Sequence, residues 1–367
     1  MRKIAAAFVL LFVIIFTPLA AWAEASPAPS MSTVPREEKI GRQVSEAIEK
    51  KFARVHDPAA EARLNMLVKT LTPYMERNLN YNIRIIELDE PNAFSLPGGQ
   101  MYITTAMLSF LRSEAEIAAI IAHELIHADR AHGIVQSRRN NKLSLLTIAG
   151  MIAAAAAGAP EAAMVASAIQ TAAINSYSID LEKEADAKGI SALLKAGYNP
   201  AAMLTMMERM YMERLRHPRY EPGIYQTHPE DEERIEAARK FMRDMGVEVR
   251  RKDVVGVLQV DVAPVGGDLR LTIDGAEIIS LPRSSESDLF LNELKERLDL
   301  TLALELAPYD VQVHGESPDG SIIIKGRFVL RERETPEGVP PLDEIRARIT
   351  LSLSNARKKN PLTNYYQ

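Results

Sequence analysis

Residues 122–133 read AHELIHADRAHG, placing His123 and His127 four positions apart with Glu124 directly after the first. Each residue of a helix turns about 100°, so the two imidazoles lie about 40° apart on one face. Imidazoles on successive turns make a two-point seat for a divalent metal, zinc above all. Glu124 projects about 60° from His127, beside such a metal but off its ligand axis. A carboxylate there suits a general base that takes a proton from an activated water and returns it to a leaving amine. The bland reading is a core helix with two satisfied histidines. It strands a charged Glu124 on an apolar segment without a partner, which is costly.

A catalytic zinc ordinarily takes three protein ligands and keeps one position open. The chain has no cysteine, so the third ligand must be a histidine or a carboxylate. The continuation H-E-x-x-H-x-x-G-x-x-H fails, because Arg130 stands where its Gly belongs and Gly133 where its last His belongs. On a continuing helix His132 falls about 140° from His127 and reads as a surface or outer-shell residue. Residues 178–190 (SIDLEKEADAKGI) offer Glu182 and Asp186 on one helical face, with Glu184 about 200° from Glu182. Alone, this is a solvated acidic helix. Paired with the histidine segment it becomes the leading ligand source, with Glu182 as ligand and Asp186 accepting the free N–H of a ligand histidine.

The elements that must hold these residues follow from periodicity. Helical spacing covers 37–52 and 58–77, and 81–88 reads as a strand. Residues 92–104 give two extended runs around Pro-Gly-Gly, a hairpin signal. Ser113 and Glu116 form a capping box that opens a core helix running to about residue 138. Two uncharged stretches, 143–160 and 162–179, then separate the ligand helices. Rich in Ala and small polar residues, they read as a helical hairpin over the site, with membrane insertion or peripheral membrane contact through 143–179 as the competing reading. Helical pattern returns over 177–195, 201–216 and 229–245. Beyond about residue 250 apolar and polar residues alternate, with turns at Asp274-Gly275 and 317–320 and helices near 288–298 and 342–354. A hairpin-then-helix unit used twice is conceivable there, although the internal similarity is faint. The fold class is therefore α+β: a mainly helical domain over 37–249 with a small edge-stranded sheet, then a smaller α+β domain over 250–367.

A net charge of −5 and a pI near 5.9 argue against a nucleic-acid partner. Met1-Arg2-Lys3, an apolar run over 4–19 and Ala21-Trp22-Ala23 read as a secretory signal peptide over 1–23. An uncleaved membrane anchor facing the periplasm is the alternative, though the run is short for a span. Residues 24–36, rich in Pro, Ser and Ala, read as a flexible leader. An exported chain without cysteine points to the periplasm.

Taken in order, HELIH, then EKEAD (E-x-x-x-D), then Thr227-His228-Pro229 followed by Arg234 resemble the Ste24/HtpX/BepA-type zinc metallopeptidases. Upstream, NAFSLPGG is similar to that family's hairpin before the zinc helix, and the resemblance covers roughly 35–245. It implies a gluzincin endopeptidase holding one Zn2+ per chain through His123, His127 and Glu182, with Glu124 as general base and acid and Asp186 behind the ligands. It implies an edge strand of Asn92, Ala93, Phe94, Ser95 and Leu96 that an unfolded substrate extends; from the residues alone a plain structural hairpin is equally open. It further implies that His228 can take the fourth zinc position as a switch. The rival role is stabilising the transition-state oxyanion, together with Arg234. The function so implied is hydrolysis of misfolded or unassembled envelope proteins in periplasmic quality control. The tetratricopeptide tail of the BepA-like branch is missing, since 250–367 alternates like strands. A different class of reading is a zinc-containing chaperone-like or binding protein whose C-terminal domain carries the function.

Overall fold

A computed structural model describes residues 34–139, 177–216, 228 and 232–360. The segments read as signal peptide (1–23) and, apart from 177–179, as membrane contact (143–179) lie outside the described residues. The first helix, α1 (Val34–Lys51), begins three residues inside the stretch expected to be leader. Pro58–Leu71 forms α2, capped by Asp57, whose carboxylate accepts the Ala59 and Ala60 amides at 3.0 Å. This helix stops short of the expected residue 77. Pro73 sits in the 3₁₀ turn that follows, and the Glu76 and Arg77 amides bond instead to the buried Asp129 carboxylate at 3.1 and 2.7 Å.

Three strands come next: β1 (Asn82–Ile86), β2 (Ala93–Ser95) and β3 (Gln100–Thr104), in the order β1-β3-β2. The expected hairpin is present, with Phe94 opposite Tyr102. The pairing of β1 to β3 is parallel. Among the described residues β2 is thus an edge strand. Alternation gives the sheet two apolar faces. Ile83, Ile85, Met101 and Ile103 join the main core, while Ile86, Tyr102 and Phe94 pack with Ile40, Val44 and Ile48 of α1.

Thr104 caps the short α3 (Thr105–Phe110), and Ser113 caps α4 (Glu114–Asp129), accepting the Glu116 amide. The Glu116 carboxylate does not close the box on Ser113. It bonds the Arg112 amide at 2.8 Å and the Arg209 guanidinium. From Ala118 to Asp129 every residue of α4 is buried. The helix does not run on to residue 138: Ala131 takes a left-handed conformation (φ 51°), and a new helix, α5 (His132–Arg139), starts after it. The domain is completed by α6 (Ile179–Lys195), which packs along α4, by α7 (Ala201–Arg216) and by α8 (Glu232–Asp244).

A short helix, α9 (Arg251–Val255), leads into the second core. There β4 (Val260–Val265), β5 (Asp268–Ile273) and β6 (Ala276–Pro282) form an antiparallel meander followed by α10 (Ser285–Thr301). A second meander, β7 (Val311–His314), β8 (Ser321–Ile324) and β9 (Arg327–Arg331), is followed by α11 (Leu342–Lys359). The repeat, faint in the residues, is plain in the backbone. Both inner hairpins turn on two positive-φ residues, Asp274-Gly275 and Lys325-Gly326. Each then bulges three residues after its glycine, at the fully buried Ile278 and Val329. The helices interlock: α10 packs on β4, β5 and β9, and α11 on β7, β8 and β6. The architecture is the mainly helical domain and smaller α+β domain expected. Among the described residues no helix is long and apolar enough to cross a membrane.

Candidate metal centre

Along the face of α4 that packs on α6, the buried polar residues gather. His123, Glu124 and His127 are each at most 2% exposed, as are Glu182 and Asp186 on α6. The ring nitrogens His123 Nε2 and His127 Nε2 lie 2.9 Å apart. Glu182 spans the pair, with Oε2 3.4 Å from His123 Nε2 and Oε1 3.4 Å from His127 Nε2. His228, reached from the far side, brings Nδ1 to 3.2 Å from His123 Nε2 and 3.0 Å from Glu182 Oε1. One donor atom from each of His123, His127, Glu182 and His228 lies within 4.8 Å of the other three.

These donors fit a metal. Three imidazole nitrogens and a carboxylate turned towards one point repel one another unless a proton or cation sits between them. Tetrahedral ligands about 2.0–2.1 Å from a zinc ion stand roughly 3.3 Å apart, close to the 2.9–3.4 Å spacings found here. An all-nitrogen-and-oxygen set of this kind suits zinc among the common divalent ions.

The surroundings hold the donors in place. His123 turns its other nitrogen, Nδ1, to Asp186 Oδ1 at 3.0 Å, the contact expected from the residue spacing. Arg234 on α8 is 1% exposed and carries the counter-charge. Its guanidinium grips Asp186 at 2.8 and 2.9 Å and Glu182 Oε2 at 2.8 Å. Arg234 is therefore engaged with the carboxylates of the site. Burial alone would raise both carboxyls, but Arg234 outweighs it and holds Asp186 below and Glu182 well below the usual range. Burial depresses His127 well below the ordinary imidazole value. In His123 the same burial is overcome by Asp186 and Glu182, which push it up to about 10. Burial raises the Glu124 carboxyl, opposed by His228 and His123. Glu124 Oε1 is 3.3 Å from His228 Nε2.

The edge strand flanks this site. Ala93 packs into the core beside α4, Phe94 stacks on Tyr102 on the opposite face, and the Ser95 hydroxyl faces Glu124. Asn92 and Leu96 bracket the strand through backbone bonds to Thr104 and Gln100.

Three residues were not assigned to the site from sequence. Tyr177 stacks on His127 with ring centroids 4.1 Å apart. His132, read as a surface or outer residue, is 1% exposed and touches the His127 ring. Glu184, expected to point elsewhere, faces His132 and pairs with Arg130. A regular helix would not have placed His132 there; the turn at Ala131 does.

Comparison with known proteins bears on this geometry. Residues 58–242 match Peptidase family M48. The beta-barrel assembly-enhancing protease of Escherichia coli (strain K12) is 29% identical over 199 residues, 52% of this chain and 40% of that protein. A putative beta-barrel assembly-enhancing protease of Vibrio cholerae is 33% identical over 159 residues, 41% and 32% of the two chains. The mitochondrial metalloendopeptidase OMA1 of Schizosaccharomyces pombe is 27% identical over 133 residues, 36% and 38% of the two. The chain thus spans less than half the length of these curated relatives.

Proposed function

This chain belongs to peptidase family M48, and from that premise we propose that it is a zinc-dependent endopeptidase acting on misfolded or unassembled envelope proteins. One observation carries the reading: the His123, His127 and Glu182 donors converge beside the buried carboxylate of Glu124. Zinc, when bound there, supplies Lewis-acid polarisation of the scissile carbonyl and acidifies the attacking water. Glu124 is placed to take the proton from that water and deliver it to the leaving amine. Asp186 and Arg234 orient the donors and share their charge. The edge strand β2 offers backbone groups to an extended, unfolded segment, which adds as a further strand.

The names of the bacterial relatives and the signal-peptide pattern of 1–23 support an envelope substrate and a periplasmic site. His228 supports gating, since its Nδ1 lies 3.2 Å from His123 Nε2 and 3.0 Å from Glu182 Oε1, where it could serve as a fourth ligand. That same closure favours the second reading, a zinc-containing chaperone-like or binding protein working through its C-terminal domain. An intact Glu124 favours the protease, because a pure binder has no use for a base at that place.

Casein hydrolysis by zinc-loaded protein separates the two. Glu124→Gln is expected to lower kcat by about 10²–10⁴ with zinc content unchanged. If neither zinc-loaded wild type nor zinc-loaded His228→Ala cleaves casein, the protease reading fails.

A further inference from the structure

The donor cluster uses one nitrogen of His127, and the other makes a contact that hydrolysis does not require. His127 Nδ1 lies 3.0 Å from His132 Nδ1. The two rings meet edge-on, 4.8 Å between centroids at 80°. His132 Nε2 in turn faces Glu184 Oε2 at 3.6 Å. The other oxygen of Glu184 pairs with Arg130 Nε at 2.8 Å, and Arg130 reaches Glu76 at 2.6 Å. Glu76 also takes Lys188 at 2.8 Å.

With His127 Nε2 given to a metal, the protons in this chain of contacts follow. Two buried ring nitrogens 3.0 Å apart need one proton between them. A neutral histidine that offers the lone pair of Nε2 carries its proton on Nδ1, so His127 donates and His132 Nδ1 accepts. His132 then carries its own proton on Nε2, the nitrogen turned to Glu184. Arg130, permanently charged, pairs with that carboxylate and holds it beside His132.

We propose that His132, held by Glu184 and Arg130, is a positioning residue that fixes the tautomer and ring orientation of His127 for metal binding. It does for His127 what Asp186 does for His123, with an imidazole interposed between ligand and carboxylate. The Ala131 turn is what makes this possible, because it swings His132 back over the ring from which a continuous helix would carry it away. The inference rests on the metal-centre reading above.

Zinc affinity of the metal-stripped full chain, measured by competition with a chromophoric chelator, tests it without reference to activity. His132→Ala should bind zinc about 10–100-fold more weakly, with the circular dichroism of the metal-free protein unchanged. His132→Asn, whose Oδ1 accepts where Nδ1 did, should recover affinity to within about threefold of wild type. Where the alanine variant fails to fold, the asparagine variant decides alone, a loss of about tenfold or more overturning the proposal. Wild-type affinity in His132→Ala overturns this inference and leaves the metal centre standing. Equal losses in both variants also overturn it, since ring bulk and not the acceptor then matters. A wild-type chain that takes up no zinc overturns the metal centre and this inference together.

Discussion

His228 presents both ring nitrogens to the site, Nδ1 among the donors and Nε2 3.3 Å from Glu124 Oε1. On the proposed zinc reading, a side chain so placed would stand where the attacking water and the scissile carbonyl enter. Removing it opens that position, so His228→Ala should cleave casein several-fold faster than wild type at equal zinc content. A loss of about 10²–10³ would instead mark a group that stabilises the oxyanion, and gating would fail. At this scale the sequence carried the centre of the site well. His123, Glu124 and His127 sit on consecutive turns of one helix, so their geometry follows from helical rotation alone. Glu182 and Asp186 needed one more step, the demand for a third ligand in a chain without cysteine. His132 stayed undecided between the surface and the outer shell, and Glu184 was sent elsewhere, because the helical angle was carried through Arg130 and Ala131, where the helix ends. Nothing in the spacing marked Tyr177. The partners of Arg234 lie 48 and 52 positions away, beyond any local pattern.

Between α1 and the β2–β3 turn the backbones approach unusually closely. A Cβ added at Gly41 would lie 2.0 Å from the Pro97 carbonyl oxygen. Inside a helix, Gly→Ala ordinarily stabilises by roughly 0.5–1 kcal/mol. Here the obstacle is backbone, which cannot swing aside, so Gly41→Ala should destabilise the domain by about 1–3 kcal/mol. Urea unfolding reads this directly, and a raised midpoint would show that the contact is looser than described. Because β2 borders the site, the variant should also lose activity before it loses secondary structure. Most elements were legible from apolar periodicity, and Ser113 opens the helix it announces. The parallel pairing of β1 with β3 was not, since alternation fixes which face a residue takes but not which strand lies next to it. The C-terminal repeat was only faintly legible for a related reason. It is kept in turn and bulge offsets, and the residues at matched places, Glu277 and Phe328 or Asp274 and Lys325, differ in kind.

The two cores meet through α9, and Arg251 is the bolt between them. It bonds Glu208 on α7 of the protease domain at 2.8 and 2.9 Å and Glu305, just after α10, at 2.5 Å. Its side chain is 8% exposed, and Glu208 is 7% exposed. Neighbouring Arg250 makes similar ion pairs to Asp253 and Asp299 with its side chain 31% exposed. Removing one partner of a buried pair costs about 3–5 kcal/mol, whereas an exposed pair is worth about 0–1 kcal/mol. Wild type should therefore melt as one unit in calorimetry. Arg251→Met should split the transition in two, because the cores retain their own packing once the charged link is gone. Arg250→Met should leave a single transition with its midpoint nearly unchanged. If both variants melt alike, the coupling resides in the apolar contacts of Val255, which packs against both cores, and the charged junction is incidental.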